Sequence, residues 1–352
     1  MKPSATRIQN NLLKWFDQHG RKSLPWQINK TPYRVWISEI MLQQTQVSTV
    51  MPYFERFMNE FPDVKTLAAA HEDRVLHHWA GLGYYSRARN LHLAAKTVID
   101  EYKGKFPNTL EGLKTLPGIG PSTAGAIMAI AYEQQAPILD GNVKRVLSRL
   151  HGITPPINDK DTEETLWQLA VRYTPKSRVA DYTQAIMDLG ATLCTRSKPD
   201  CPHCPFNKQC IAYAENLTAV IPAKKVTQKI PTRTATFLVI KKDQNILIQK
   251  RPATGIWGGL FSLPELAGIP DNKTIKAFCQ QSLGLAVKPL KPLTAFRHTF
   301  SHYHLQIHPI LLEIKQTTAR VMEDNSQIWY NLDKPAHVGL PKPIHTILRE
   351  LT

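Results

Sequence analysis

The spacing of apolar residues changes once along the chain. From about residue 8 to residue 217 they recur at helical intervals. Val143, Val146, Leu147 and Leu150 fall at i, i+3, i+4 and i+7, and Leu166, Leu169, Ala170 and Tyr173 repeat the stripe. Strand-like alternation is hard to find there, so this half is expected to be all-α. Residues 219–232, with Pro222, Pro231 and the Lys224-Lys225 pair, carry no stripe and read as a linker. Beyond them the period shortens. Residues 234–240 and 246–250 are β-rich runs joined by a Lys-Lys-Asp-Gln-Asn turn, and residues 299–314 form a longer β-prone run. Helices are predicted over 274–283 and 343–351. The expected architecture is an all-α domain over 1–218, the linker 219–232 and an α+β domain over 233–352.

Composition narrows the classes of function. A hydrophobic content of 42% over 352 residues is enough for a core in each of two domains. No run of about 18 apolar residues exists, so no spanning helix is expected. The net charge of +16, more than half of it beyond residue 220, points to a polyanionic partner, of which nucleic acid is the commonest. An anionic membrane surface is the second choice, but no concentrated basic amphipathic helix supports it. Five cysteines are sparse for a disulfide framework and the N-terminus lacks an apolar leader, so a reducing, cytoplasmic setting is expected.

Four of those cysteines, Cys194, Cys201, Cys204 and Cys210, lie in one Pro- and Lys-punctuated loop, with Cys279 left over. A zinc ribbon splits its ligands into two close pairs across a hairpin, whereas here one CxxC is flanked by a single cysteine on each side. The spacing favours a 4Fe-4S cluster held by a compact loop (194–210), with zinc second and disulfides last. A second motif is Leu116-Pro117-Gly118-Ile119-Gly120, followed by Pro121, Ser122 and the small residues Ala124, Gly125, Ala126 and Ala129. Two glycines allow a tight turn at a helix start that presents backbone N–H groups to a phosphate. An ordinary Gly-capped connection would look the same. Asp140 suits the N-cap of the following helix. Glu39 shares a helical face with Val35, Trp36 and Leu42; an acid among such neighbours has a raised pKa, while a solvated surface position would leave it ordinary.

The hairpin and the cysteine loop together resemble the helix-hairpin-helix DNA glycosylase superfamily. There the LPGIG turn grips the DNA backbone, which implicates Leu116, Gly118, Gly120 and Ser122, and an aspartate about 20 residues on serves the chemistry, which is Asp140 here. Endonuclease III-like members carry a lysine where this chain has Ser122, and a hydroxyl cannot form their Schiff base. The resemblance therefore implies a monofunctional glycosylase, with an endonuclease III-like lyase acting on oxidised pyrimidines as the alternative. Ser-Glu-Ile-Met-Leu-Gln-Gln-Thr-Gln-Val, over residues 38–47, is similar to the segment of adenine DNA glycosylases of the MutY type. That family implies removal of adenine opposite 8-oxoguanine or guanine in double-stranded DNA. Glu39 would be the proton donor, Asp140 the cation stabiliser and Asn142 a water-orienting residue. Gln44 and Tyr84 would fill the gap left by the flipped base, and Thr45 would touch the opposite guanine. Arg87 and Arg89 beside Tyr84 would suit phosphate contact or stacking, and Lys144 reads as a phosphate or surface contact. A nucleoid-associated monomer is expected.

The segment 255–265 resembles the opening of a Nudix box. However, Gln281-Ser282 stands where that box needs metal-binding glutamates, so the domain reads as a recognition module rather than a hydrolase. Ser301 and His302, in Phe300-Ser301-His302, match the loop that reads 8-oxoguanine in the family. His298, His302, His304 and His308 share parity along one ideal strand, which leaves a metal face open as a lesser alternative.

Overall fold

The computed structural model describes residues 4–223, 230–317 and 326–351. Lys224 and Lys225 of the expected linker lie outside the described residues. The chain forms two compact units, one of residues 1–69 with 90–227 and the other of residues 70–89 with 228–352.

The first unit is helical, as its periodicity predicts. It contains α1 (Ala5–His19), α2 (Pro32–Leu42), α3 (Val47–Glu60) and α4 (Val64–Ala69). The chain then passes through α5 (Glu72–Trp79) and the start of α6 (Ser86–Asp100), both in the second unit, and returns with the rest of α6. Next come α7 (Leu110–Lys114), α8 (Pro121–Ala131), α9 (Gly141–His151), α10 (Lys160–Tyr173), α11 (Val179–Asp188) and the short α12 (Ile211–Ala214). Two of these helices organise the rest. In α8 every residue from Thr123 to Ile130 is buried, because alanine and glycine let neighbouring backbone approach directly. A methyl on Gly125 would lie 2.1 Å from the Pro137 carbonyl. In α2, Thr31 caps the first turn by accepting the Arg34 N–H, and Val35, Trp36, Ile37, Ile40 and Met41 are buried.

The second unit carries a mixed sheet of β1 (Thr232–Lys242), β2 (Asn245–Lys250), β3 (Phe261–Ser262), β4 (Glu265–Ala267), β5 (Leu285–Pro292), β6 (Phe296–Thr299), β7 (His304–Thr317) and β8 (Gln327–Asn331). The main path runs β3-β2-β1-β7-β5, with β4 on β1, β6 on β7 and β8 on β2. The central β1–β7 pair is parallel and the other pairs are antiparallel. The predicted turn between the first two runs is a tight hairpin with Asp243 in the left-handed region. Helix α13 (Asn272–Leu283), capped by Asp271 and ended by Gly284 at φ 65°, packs Ile275, Cys279 and Leu283 against Leu238, Ile240 and Leu312 of the sheet. The terminal helix α14 spans Lys342–Arg349.

One expectation needs correction. The single run over 299–314 is two strands, because Phe300 N–H bonds the Tyr303 carbonyl and turns the chain back. Ser301 and His302 form the exposed tip of that β6–β7 hairpin. His298 lies on β6, His302 in the turn, and His304 and His308 on β7, so the four histidines do not share one strand face.

Candidate active site

The first unit brings the expected chemical residues together. Asp140 caps α9, its Oδ1 accepting the Val143 N–H at 2.8 Å, while Asn142 Nδ2 lies 3.5 Å from its Oδ2. The preceding residue is fixed as well, since Leu139 N–H donates to the Ser122 hydroxyl at 3.1 Å. Ser122 therefore fixes the backbone that leads into Asp140. Glu39 is half-buried on α2 amid buried neighbours. Burial first, and the charge of Asp140 second, push its pKa up to about 8. Burial also raises the Asp140 pKa, against backbone N–H groups of Val143 and Asn142 and the nearby Arg145, all of which favour its charged form. The carboxylate expected to stay ionised is thus itself desolvated. Those hydrogen bonds favour its charged form against the desolvation, and its charge is the smaller of the two causes that raise Glu39.

Sequence reasoning missed two arginines of α9. Arg145 donates to the Cys194 carbonyl (2.8 Å), the Gly190 carbonyl (2.7 Å) and Asn142 Oδ1 (2.9 Å). Arg149, 2% exposed, donates to the carbonyls of Ile221, Thr195, Arg196 and Thr218 and lies 3.4 Å from Cys194 Sγ. Gly190 makes room for this, since a methyl there would sit 2.7 Å from Asn142 Cβ. The only signal in the sequence was a pair of cations, four residues apart, on a helix whose apolar stripe lay elsewhere. Lys144, by contrast, pairs with Glu163 at 2.9 Å. Asp188 is fully buried and held by Arg21 and Gln184.

Cys194, Cys201, Cys204 and Cys210 line one cavity with Arg149 and Asn207. Burial, and then mainly mutual repulsion, raises the Cys201 thiol and pushes Cys204 up to about 12, so four thiolates here demand a compensating cation. Among the described residues no group of three or more His, Cys, Asp or Glu side chains is placed to hold a metal ion. Four thiols around one shared cavity are donors of the kind that an iron–sulfur group or a zinc ion accepts. Arg196, Lys198 and Lys208 of the same loop are exposed.

In the hairpin, Leu116 and Ile119 are buried and joined by an Ile119 N–H to Leu116 carbonyl bond. Leu116 therefore anchors the turn from below and leaves Gly118 and Gly120 exposed. Gly118 has φ 79°, and Gly120 opens α8 with no side-chain cap, so the N–H groups that follow Pro121 receive no cap from a side chain at that position. Gln44 (φ 56°) and Tyr84 (φ 47°) each hold a left-handed backbone that costs a non-glycine residue about 1–2 kcal/mol. Thr45 bonds back to the Leu42 carbonyl beside Gln44. Tyr84 belongs to the second unit, is 48% exposed, and lines a cavity of about 390 Å³ together with Ser301 and His302. Arg87 is spent on the Leu82 and Gly83 carbonyls at 3.2 Å and stacks over Trp79 and Tyr84. Among the described residues no helix is long and apolar enough to cross a membrane.

Residues 37–171 match the family model of the HhH-GPD superfamily base excision DNA repair proteins, and residues 235–350 match the NUDIX domain. A thermostable thymine-DNA glycosylase structure is 26% identical with a TM-score of 0.55, covering 60% of this chain and 97% of its own. Endonuclease III in a non-covalent DNA complex (22%, TM-score 0.52, covering 61% and 99%) shares the fold. Fold and site together define a helix-hairpin-helix base-excision glycosylase joined to a Nudix-like α+β domain. An adenine DNA glycosylase of Buchnera aphidicola subsp. Acyrthosiphon pisum (strain APS) is 41% identical over 96% of this chain and 95% of its own length. Those of Rattus norvegicus and Homo sapiens are 34% and 33% identical over 88% of this chain and 71% and 68% of theirs. The chain belongs to the adenine DNA glycosylase family, the MutY-type base-excision repair hydrolases that cleave the N-glycosidic bond.

Proposed function

We propose that the enzyme excises adenine paired with 8-oxoguanine, and with guanine, from double-stranded DNA by a hydrolytic route with no lyase step. The observation that carries the chemistry is the pair of carboxyls with unequal environments, Glu39 raised to about 8 and Asp140 held by amide donors. Glu39 gives its proton to the extruded adenine, so the base departs neutral and the sugar is left as an oxocarbenium ion. Asp140, ionised, stabilises that cation, and Asn142, bridged to it, orients the attacking water. Glu39 then takes the proton from water. Ser122 supports hydrolysis because it offers no amine to trap the sugar.

In this reading Gly118, Gly120 and the open start of α8 hold a phosphate, Gln44 and Tyr84 fill the vacated stack, Thr45 touches the opposite base, and Ser301 and His302 read its oxidised edge. Cys194, Cys201, Cys204 and Cys210 would hold a 4Fe-4S cluster, whose charge offsets four thiolates and cross-links the basic loop. The glycosylase portion is residues 1–218, the linker 219–232 and the reading domain 233–352. The enzyme acts as a monomer at the nucleoid. The test is single-turnover cleavage of duplexes carrying adenine opposite 8-oxoguanine, guanine or thymine, scored as alkali-labile sites. Rapid excision for the first, slower for the second and none for the third is expected. Equal rates for all three, or strand scission without alkali, would overturn the reading.

A further inference from the structure

The cavity of about 390 Å³ in the second unit lies within the range of about 300–1,000 Å³ typical of binding sites, and two of its walls are turns. One is the turn around Tyr84, the other the β6–β7 turn bearing Ser301 and His302. The Tyr84 turn is tied to the first turn of α6, where Arg87 N–H bonds the Tyr84 carbonyl at 2.9 Å and Arg89 N–H the Tyr85 carbonyl at 3.1 Å. Arg89, which sequence reasoning offered for phosphate contact or stacking, instead donates Nη1 to the carbonyl of Gly258. That carbonyl belongs to a loop without slack. A methyl on Gly258 would lie 2.4 Å from the Ala253 carbonyl, Gly259 N–H bonds the Pro252 carbonyl at 3.0 Å, and Leu260 N–H bonds the Trp257 carbonyl at 3.0 Å. Trp257, left-handed at φ 53°, turns its ring onto the β6–β7 hairpin, 5.3 Å from Phe300 and 5.7 Å from His298. Phe300 closes that hairpin through its bond to Tyr303. The path Tyr84 turn, Arg89, Gly258, Trp257, Phe300, Ser301 is continuous hydrogen bonding, backbone and ring contact.

An 8-oxoguanine differs from guanine at one edge, where an acceptor replaces a C–H and a donor replaces a lone pair. Selecting by so few hydrogen bonds requires the reading groups to be held to within about 0.5 Å of the productive geometry. We propose that Arg89 and Trp257 are positioning residues for opposite-base discrimination, fixing the Tyr84 turn and the Ser301–His302 turn across one cavity so that insertion and reading are a single event. This rests on the assignment of Ser301 and His302 to the oxidised guanine made above.

The test compares Arg89→Met, Arg89→Lys, Trp257→Leu, Trp257→Phe and Ser301→Ala in the full-length, cluster-loaded enzyme. It measures duplex affinity and single-turnover excision of adenine opposite 8-oxoguanine and opposite guanine. Arg89→Met and Trp257→Leu are expected to lower the 8-oxoguanine preference about tenfold, the weight of one misplaced hydrogen bond, with Arg89→Lys and Trp257→Phe recovering most of it. Combining Arg89→Met with Ser301→Ala is expected to lose less than the product of the single losses, because both act through one contact. Parallel decline on both duplexes would assign the two residues to stability alone and overturn the inference. So would an unchanged preference in Arg89→Met and Trp257→Leu while Ser301→Ala loses it. An unchanged preference in Ser301→Ala would bring down the assignment of the reading loop, and this inference with it. If Arg89→Met or Trp257→Leu does not fold, the conservative pair carries the comparison, since even partial loosening must move the ratio and full retention in both refutes the coupling.

Discussion

Replacing Glu39 by glutamine should destroy excision and at the same time make the protein more stable in alkali. The carboxyl, ordinarily near 4.5, is pushed up to about 8 in the folded chain, burial being the larger cause and Asp140 the smaller. The sign follows from proton linkage. Below 4.5 the folded and unfolded chains both keep the proton and Glu39 costs nothing. Between 4.5 and about 8 the unfolded chain releases it and the folded chain does not, so stability falls as pH rises; above 8 the folded chain carries the full penalty. At ~1.4 kcal/mol per pH unit that interval sets a ceiling of ~5 kcal/mol, and the partial exposure of the side chain reduces the expected penalty to ~2–3 kcal/mol. Glutamine never ionises. Urea unfolding of the two proteins side by side should therefore show equal midpoints near pH ~4 and a Glu39→Gln advantage that grows to ~2–3 kcal/mol near pH ~9. Excision should fall by at least ~10²–10⁴-fold, the usual weight of a general acid, with duplex affinity retained. Parallel stability curves at every pH would refute the buried-acid argument even if activity were lost.

The wild-type excision rate should decline as pH rises through about 8, where Glu39 gives up its proton, and on the acid side as Asp140, itself raised, becomes protonated; a flat profile across both limbs counts against this pairing. Asp140→Asn keeps a good helix cap and so should fold normally, while excision drops ~10²–10³-fold for want of a negative charge beside the sugar. Gly118→Ala forces a methyl into a φ 79° turn 2.9 Å from Asn90 Cβ, costing ~1–2 kcal/mol, and should weaken duplex binding and flatten its salt dependence. Cys204→Ser should lower iron and sulfide content and loosen the loop bearing Arg196, Lys198 and Lys208, measured as lost duplex affinity; full affinity without iron would separate the cysteines from DNA binding.

What the chain announces in its sequence and what it conceals divide along a physical line. Periodic burial is legible, so the helices around Val143 and Leu166 and the β1–β2 hairpin stand where the pattern places them. Residue types suited to few jobs are legible too, which is why Asp140 could be placed as a helix cap and the four thiols as one set, whereas a chemical role for Asp140 came only from the family resemblance. Strand β5 escaped because Pro289 and Pro292 argue against a strand, and they are tolerated only because β5 is the edge of the sheet. The β6–β7 turn escaped because Phe300 and Tyr303 flank Ser301-His302 with strong β-formers, and only the bond between their backbones reverses the chain. Arg145 and Arg149 escaped because their partners are main-chain carbonyls, which every residue possesses and no side chain advertises. The same holds for Gly190, Gly258 and Gly339, each of which looks like an ordinary loop glycine. Only the packed structure shows Asn142, the Ala253 carbonyl and Leu76 standing where a methyl would go. The acid and its partner are therefore readable one residue at a time. Their alignment is not, because it is built from backbone contacts, and those contacts decide whether two carboxyls 101 positions apart in sequence feel each other's charge.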